Sequence, residues 1–186
     1  MSMGRAPTPA YHREQVMALP LAGIGVGALN AVPDAELEPA LLACCSSPAW
    51  VGAILAGRPY QDVAEVLGAS DVALAAMTES DVDSALRGHP RIGEPLTAAS
   101  AESSRREQAG VAAAEDSVRR RLAEGNRDYE RRFGHVYLVS AAGRSARELL
   151  ELLGERLAND PATERAVLKQ ELAKINRLRL ERLLGS

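Results

Sequence analysis

From Ala162 to Leu184 the chain repeats apolar residues at three- and four-residue steps, with Leu168, Leu172, Ile175 and Leu183 along one stripe. A stripe of that period predicts a long helix with one buried face. One position breaks it. Arg179 lies four residues after Ile175 and four before Leu183, where the pattern calls for an apolar side chain. A guanidinium on a core-facing stripe needs a partner or a ligand, or must reach out to water. Arg177, two positions away, points elsewhere on the same helix.

Shorter helices account for most of the remaining chain. Asp34 as N-cap, with Leu37, Leu41, Leu42 and Cys45, predicts a helix ending near Ser46 and Ser47; Pro48 then opens another through Trp50, Ile54 and Leu55 that stops by Gly57 and Pro59. YQDVAEVL at 60–67, SDVALAAM at 70–77 and SDVDSAL at 80–86 each read as a short capped helix. A helix is expected from about Ser104 to Leu122, broken at Gly125 and Asn126, with Tyr129 and Phe133 following at helical spacing. Ser145 and Glu148 form a capping box that heads a helix to Leu157. Only GHVYLVSAA at 134–142 is enriched in β-branched and aromatic residues, and it leaves an extended run and a helix start both open. With only 3% aromatic residues, Leu, Ala and Val must supply the buried area, which favours packed helices over a sheet. At 186 residues one core is expected. The expectation is an all-α fold: a single-domain bundle of about eight or nine helices over 21–186, preceded by a loosely ordered tail over 1–20 that holds Pro7, Pro9 and Pro20.

Several function classes lose support. The net charge is −3, with both signs interspersed, so no broad footprint for nucleic acid or an anionic membrane is present. PLAGIGVGALNAV at 20–32 is too short to cross a bilayer and lacks the flanks of a signal peptide, and the final LLGS is no peroxisomal address, which makes a soluble cytoplasmic protein the expectation. Cys44 and Cys45 are adjacent and are expected reduced and buried in a helix. His12, His89 and His135 are scattered, so no metal is expected. Gly23, Gly25 and Gly27 follow no predicted strand, so the GxGxG pattern reads as loop or helix packing.

Two further places strain the helical reading. In GHPRIGE at 88–94 the proline pushes His89 away from helical backbone, and its imidazole can aim into a cleft; the bland alternative is a helix terminator with a half-exposed ring. SRREQ at 104–108 is a capping box in which Ser104 caps and Glu107 reaches back. The same helix start offers free amides and a positive field to an anionic or carbonyl-bearing ligand. An imidazole, a carboxylate and the guanidinium of Arg179 together suit acid/base work on a small molecule.

The order GHPRIG, S-x-x-E-Q, N-x-x-Y-x-x-x-F-G at 126–134, ERLAND and KINRLRL, with LNAVPDAEL and SPAWV upstream, resembles the OHCU decarboxylase family over roughly 25–184. That family acts on 2-oxo-4-hydroxy-4-carboxy-5-ureidoimidazoline in urate breakdown. The resemblance implies an all-helical homodimer with a small-molecule substrate and no cofactor. It places catalytic roles on His89 and Glu107, with Pro90, Ser104 and Gln108 beside the substrate. It also places backbone contacts at Tyr137, Leu138 and Val139, and a substrate-gripping arginine at Arg179. The run HVYLVSA is less aromatic and less apolar than that family's version. The expected reaction is loss of carbon dioxide followed by proton delivery to one face, giving (S)-allantoin. Rival readings are a non-catalytic helical interaction protein and a lyase on a related ureido acid.

Overall fold

The computed structural model describes residues 23–92 and 116–186, and among them it contains eight helices and no strand. In chain order these are α1 (Gly25–Ala31), α2 (Asp34–Cys44), α3 (Pro48–Ala56), α4 (Val63–Ala75), α5 (Glu79–Arg87), α6 (Asp116–Phe133), α7 (Ala146–Leu157) and α8 (Pro161–Leu184). The expected tail and the SRREQ segment lie outside the described residues.

Local rules explain most of the boundaries. Ser47, with Pro48 at the first helical position, starts α3, and Ser145 and Glu148 close the expected capping box on α7. Asp160 accepts from the amides of Ala162 and Thr163 at the head of α8, and such caps each contribute about 1 kcal/mol. Gly185, at φ +76°, ends α8 in the left-handed conformation that only glycine adopts without cost.

Four expectations are corrected. Asp34 is the first residue of α2 rather than its cap, which is Pro33, and its carboxylate pairs with Arg58. The runs at 60–67 and 70–77 form one helix, α4, capped by Asp62; Ser70 is mid-helix and buried, where its hydroxyl accepts from the Trp50 indole at 3.2 Å. Gly125 and Asn126 do not break α6. A Cβ at Gly125 would come within 2.6 Å of Leu153, so the glycine is where α7 comes close. Both cysteines are buried as expected, but only Cys44 is helical, and Cys45 has left α2 with an extended backbone.

Apolar side chains gather in two clusters. The larger joins α1 to α5 with the α8 stripe, including Leu41, Trp50, Ile54, Val66, Leu172 and Ile175. The smaller joins α6 and α7 around Leu122, Tyr129, Leu149 and Leu153, with Ile92 beside them. The segment at 136–141 belongs to both. Val136 and Leu138 pack in the larger cluster, while Tyr137, Val139 and Ala141 pack in the smaller. That period of two is the signature of extended backbone, so the run left open by the sequence is a strand-like segment threaded between two helical cores, with no partner strand among the described residues.

Candidate active site

α5 ends at Gly88, and the His89 amide still bonds to the Leu86 carbonyl at 3.0 Å. The ring was expected to swing away from the helix. Instead Nδ1 lies 3.0 Å from the Ala85 carbonyl oxygen, and the residue is only 8% exposed. A carbonyl can only accept, so Nδ1 carries the hydrogen and the lone pair of the neutral ring sits on Nε2. Pro90, half-buried, then turns the chain toward α6. There the Asn126 amide donates to the Ile92 carbonyl at 2.6 Å, and Arg91 forks onto Glu130 at 2.5 and 3.0 Å. Arg91 is exposed, and its ion pair with Glu130 ties the exit of the histidine segment to α6.

Arg179 is buried, 6% exposed, and does not snorkel. Its Nη1 lies 3.5 Å from the carbonyl oxygens of both Ala43 and Cys44. Asn176, one turn earlier on the same face, donates to the Cys44 carbonyl at 2.8 Å and accepts from Trp50 Nε1 at 3.3 Å when its amide is turned to suit both neighbours. Arg177 is on the outer face and pairs with Asp71 and Glu181. The α2–α3 connection therefore rests on α8 through two polar side chains. Its far side meets Gly88, where an added Cβ would fall 1.9 Å from Ser46 Oγ. Arg179 and Gly88, the residue before His89, thus meet one short run, 43–46, from two elements. Burial pushes the Cys45 thiol in that run up to about 12, which keeps it protonated and unsuited to nucleophilic work.

Tyr137, Leu138 and Val139 are all nearly inaccessible, and polar groups hold their backbone. Arg156 Nη1 donates to the Leu138 carbonyl at 2.6 Å, while its Nε donates to Glu164 at 2.8 Å. Glu164, fully buried, also accepts from the Tyr129 hydroxyl and from Asn159 Nδ2, and the Arg156 guanidinium lies 5.0 Å from the Tyr137 ring centre. On the next turns of α8, Glu171 accepts the Ser140 amide at 2.7 Å and pairs with Lys174 at 2.6 Å. Burial pushes the Glu171 carboxyl up, but Lys174 and the Ser140 amide outweigh it and hold the group below its ordinary value.

Of the sequence-derived site residues, His89, Pro90, Tyr137, Leu138, Val139 and Arg179 are placed; Ser104, Glu107 and Gln108 lie outside the described residues. Arg156, Glu164, Glu171 and Asn176 were not singled out as a set. Their signal was present in ERLAND and in the stripe, because Glu164, Leu168, Glu171, Ile175 and Arg179 recur at three- and four-residue steps. A separate groove of about 620 Å³ opens on the other side of α5, lined by Glu79, Asp83, Arg87, Phe133, His135 and Arg165, and it includes neither His89 nor Arg179.

The fold places the chain in a known class. It superposes on a crystal structure of OHCU decarboxylase in the presence of (S)-allantoin with a TM-score of 0.66, at 24% identity, over 83% of this chain and 99% of that one. A crystal structure of (S)-allantoin synthase matches with a TM-score of 0.64 at 19% identity, over 84% of this chain and 52% of that one. The OHCU decarboxylase family model matches residues 30–181, so the chain belongs to the OHCU decarboxylase family and is by that membership a carboxy-lyase. Among curated relatives, the uric acid degradation bifunctional protein TTL of Arabidopsis thaliana is 28% identical over 147 residues, 76% of this chain but 45% of that protein. The chain thus spans about half the length of that bifunctional relative. The 2-oxo-4-hydroxy-4-carboxy-5-ureidoimidazoline decarboxylases of Amia calva and Mus musculus are each 29% identical, over 74% and 75% of this chain and 81% and 80% of theirs.

Proposed function

We propose that this chain decarboxylates 2-oxo-4-hydroxy-4-carboxy-5-ureidoimidazoline to (S)-allantoin in urate degradation, with His89 and Glu107 as its acid/base pair. By its name, ring carbon 4 of that substrate bears both the carboxylate and a hydroxyl. Breaking the bond to the carboxylate releases carbon dioxide and returns the bonding pair to the ring. The hydroxyl becomes the ring carbonyl, and a proton is added on one face of the neighbouring carbon. Product is substrate minus carbon dioxide, so atoms and electrons balance and only protons have to be moved.

The observation that carries the assignment is the tautomer imposed on His89 by the Ala85 carbonyl. With Nδ1–H held there, Nε2 is the nitrogen that takes or returns a proton, and an imidazole does so near neutral pH. Arg179, at the run 43–46 that also borders Gly88, supplies a planar cationic fork for carboxylate or carbonyl oxygens. Glu107 would orient the hydroxyl or a ring nitrogen from its helix start. Pro90, Ser104, Gln108 and the backbone of Tyr137, Leu138 and Val139 would shape the pocket. The resemblance to the family also supports a homodimer, checked by a light-scattering mass of twice 19.8 kDa. A cytoplasmic location is the companion proposal, since no described helix is long and apolar enough to cross a membrane.

The test follows ultraviolet absorbance and circular dichroism after urate oxidase acts, with and without the protein. Acceleration to optically active allantoin is expected from the wild type. His89→Asn should keep the helical spectrum and lose roughly 10²–10⁴-fold in rate. Decay at the spontaneous rate to racemic product in the presence of the wild type would sink the assignment.

A further inference from the structure

Backbone groups in an extended chain alternate between two edges: the N–H and C=O of one residue face one edge, and those of the next face the other. The alternation of side chains at 136–141 shows that this rule applies here. The Leu138 carbonyl and the Ser140 amide therefore share an edge, and both are taken by charged, ion-paired side chains of α7 and α8, Arg156 and Glu171. The N–H and C=O of Val139 face the opposite edge. Burying a single unpaired strand between two cores is costly unless its polar groups find partners. On one edge the fold meets that cost with the charged groups of Arg156 and Glu171.

We infer that Arg156, held by Glu164, and Glu171 are positioning residues that clamp one edge of 138–140 and thereby present the Val139 peptide groups to the substrate. The inference rests on the function proposed above and deepens it, because it names what fixes the backbone half of the pocket. Two anchors are needed for a geometric reason. A single hydrogen bond at Leu138 would leave the segment free to rotate about its own axis, whereas bonds two residues apart on one edge fix both its depth and its roll. Arg156 suits the first anchor because its fork spans Glu164 and the Leu138 carbonyl at once, which the point charge of a lysine does not. Glu171 suits the second because Lys174 keeps it ionised, and an ionised carboxylate is a strong acceptor for an amide. Both acids stand on α8 with Arg179, and Glu171 and Arg179 are eight residues apart, about 12 Å along the axis. One rigid helix thus sets the spacing between the clamped backbone and the guanidinium.

Glu171→Leu removes the second anchor, Glu171→Gln keeps an acceptor oxygen, and Arg177→Ala, on the outer face of the same helix, touches neither anchor. With the substrate assay above, Glu171→Leu is expected to lower kcat by about 10- to 100-fold with KM changed far less, since an ångström of misplacement costs that much. Its melting temperature should stay within a few degrees of the wild type. Glu171→Gln should recover most of the rate, and Arg177→Ala should match the wild type. Arg156→Lys, which keeps a cation for Glu164 but gives up the fork, should show the same kcat-weighted loss, and it reads the clamp should Glu171→Leu fail to fold. An active wild type with equally active Glu171→Leu and Arg156→Lys would overturn the clamp alone. A wild type without activity would instead overturn the function on which it rests.

Discussion

Gly88 and Ser46 touch so closely that no side chain fits between them: a Cβ on Gly88 would stand 1.9 Å from Ser46 Oγ and 2.7 Å from Ser46 Cβ. The contact joins the end of α5, one residue before His89, to the connection that Arg179 and Asn176 hold from α8. Glycine at 88 is thus explained by proximity, and its φ of −82° is ordinary. Gly88→Ala should cost about 1–3 kcal/mol by overpacking and lower activity by displacing His89. Adding Ser46→Gly should restore much of both, and a thermal-melt double-mutant cycle with activity measured in parallel checks the coupling.

Arg179 and Arg177 are two residues apart on one helix and have opposite surroundings. Arg179→Ala removes a buried fork from the Ala43 and Cys44 carbonyls, whereas Arg177→Ala removes an exposed pair with Asp71 and Glu181. The first should reduce kcat/KM by at least about 100-fold, in line with loss of a charge-assisted contact of roughly 3 kcal/mol. The second should change stability by no more than about 1 kcal/mol and leave the rate near wild type. Equal effects in steady-state kinetics would contradict the placement of the pocket.

Tyr129 and Tyr137 are both buried in the smaller core, yet their hydroxyls differ. Tyr129 donates to Glu164 and receives Arg156 Nη2 at 3.3 Å, while the Tyr137 hydroxyl has no hydrogen-bond partner among the described residues. Tyr129→Phe leaves part of a buried charged network unsatisfied and should cost about 1–3 kcal/mol. Tyr137→Phe deletes an uncompensated polar group and should be neutral or stabilising. Urea titrations of the two variants give the comparison directly.

His135 is half-buried beside Tyr129 and Phe133, and burial pulls its imidazole below the ordinary value, with Arg165 adding to the effect and Glu164 and Asp83 opposing it. Its folded-state value is lower than its unfolded one, so between the two the unfolded chain binds more protons. The stability contributed by neutral His135 is therefore present above the ordinary imidazole value and is lost as pH falls through that value toward the depressed one. Denaturant midpoints should drop between pH 7.5 and 5.5, and His135→Phe should flatten that drop. An unchanged slope in the variant would assign it to other groups.

The helices were legible where local chemistry dictates them. The capping box at Ser145 and the Pro48 start depend on neighbours within four residues, and both appear as read. The failures are tertiary. Ser70 resembles a helix start until the Trp50 indole claims its hydroxyl, and Gly125 resembles a breaker until Leu153 shows why the backbone must be bare there. Arg179 was recognised as anomalous because a periodic stripe makes a single wrong residue visible. Glu164 and Glu171 escaped that scrutiny, since charged residues on a helix are unremarkable until their partners, the Arg156 fork and the Ser140 amide, are known.

The segment at 136–141 serves two cores with alternate residues and has its backbone pinned at 138 and 140. A conservative exchange at any one of these positions disturbs one core and leaves the other alone. An insertion or deletion of a single residue would hand every side chain to the wrong core and move both pinned atoms to the wrong edge. In this part of the chain the count of residues is under tighter constraint than their identity, so homologous sequences should vary freely in letters here while keeping the same distance between the F-G pair and the capping serine.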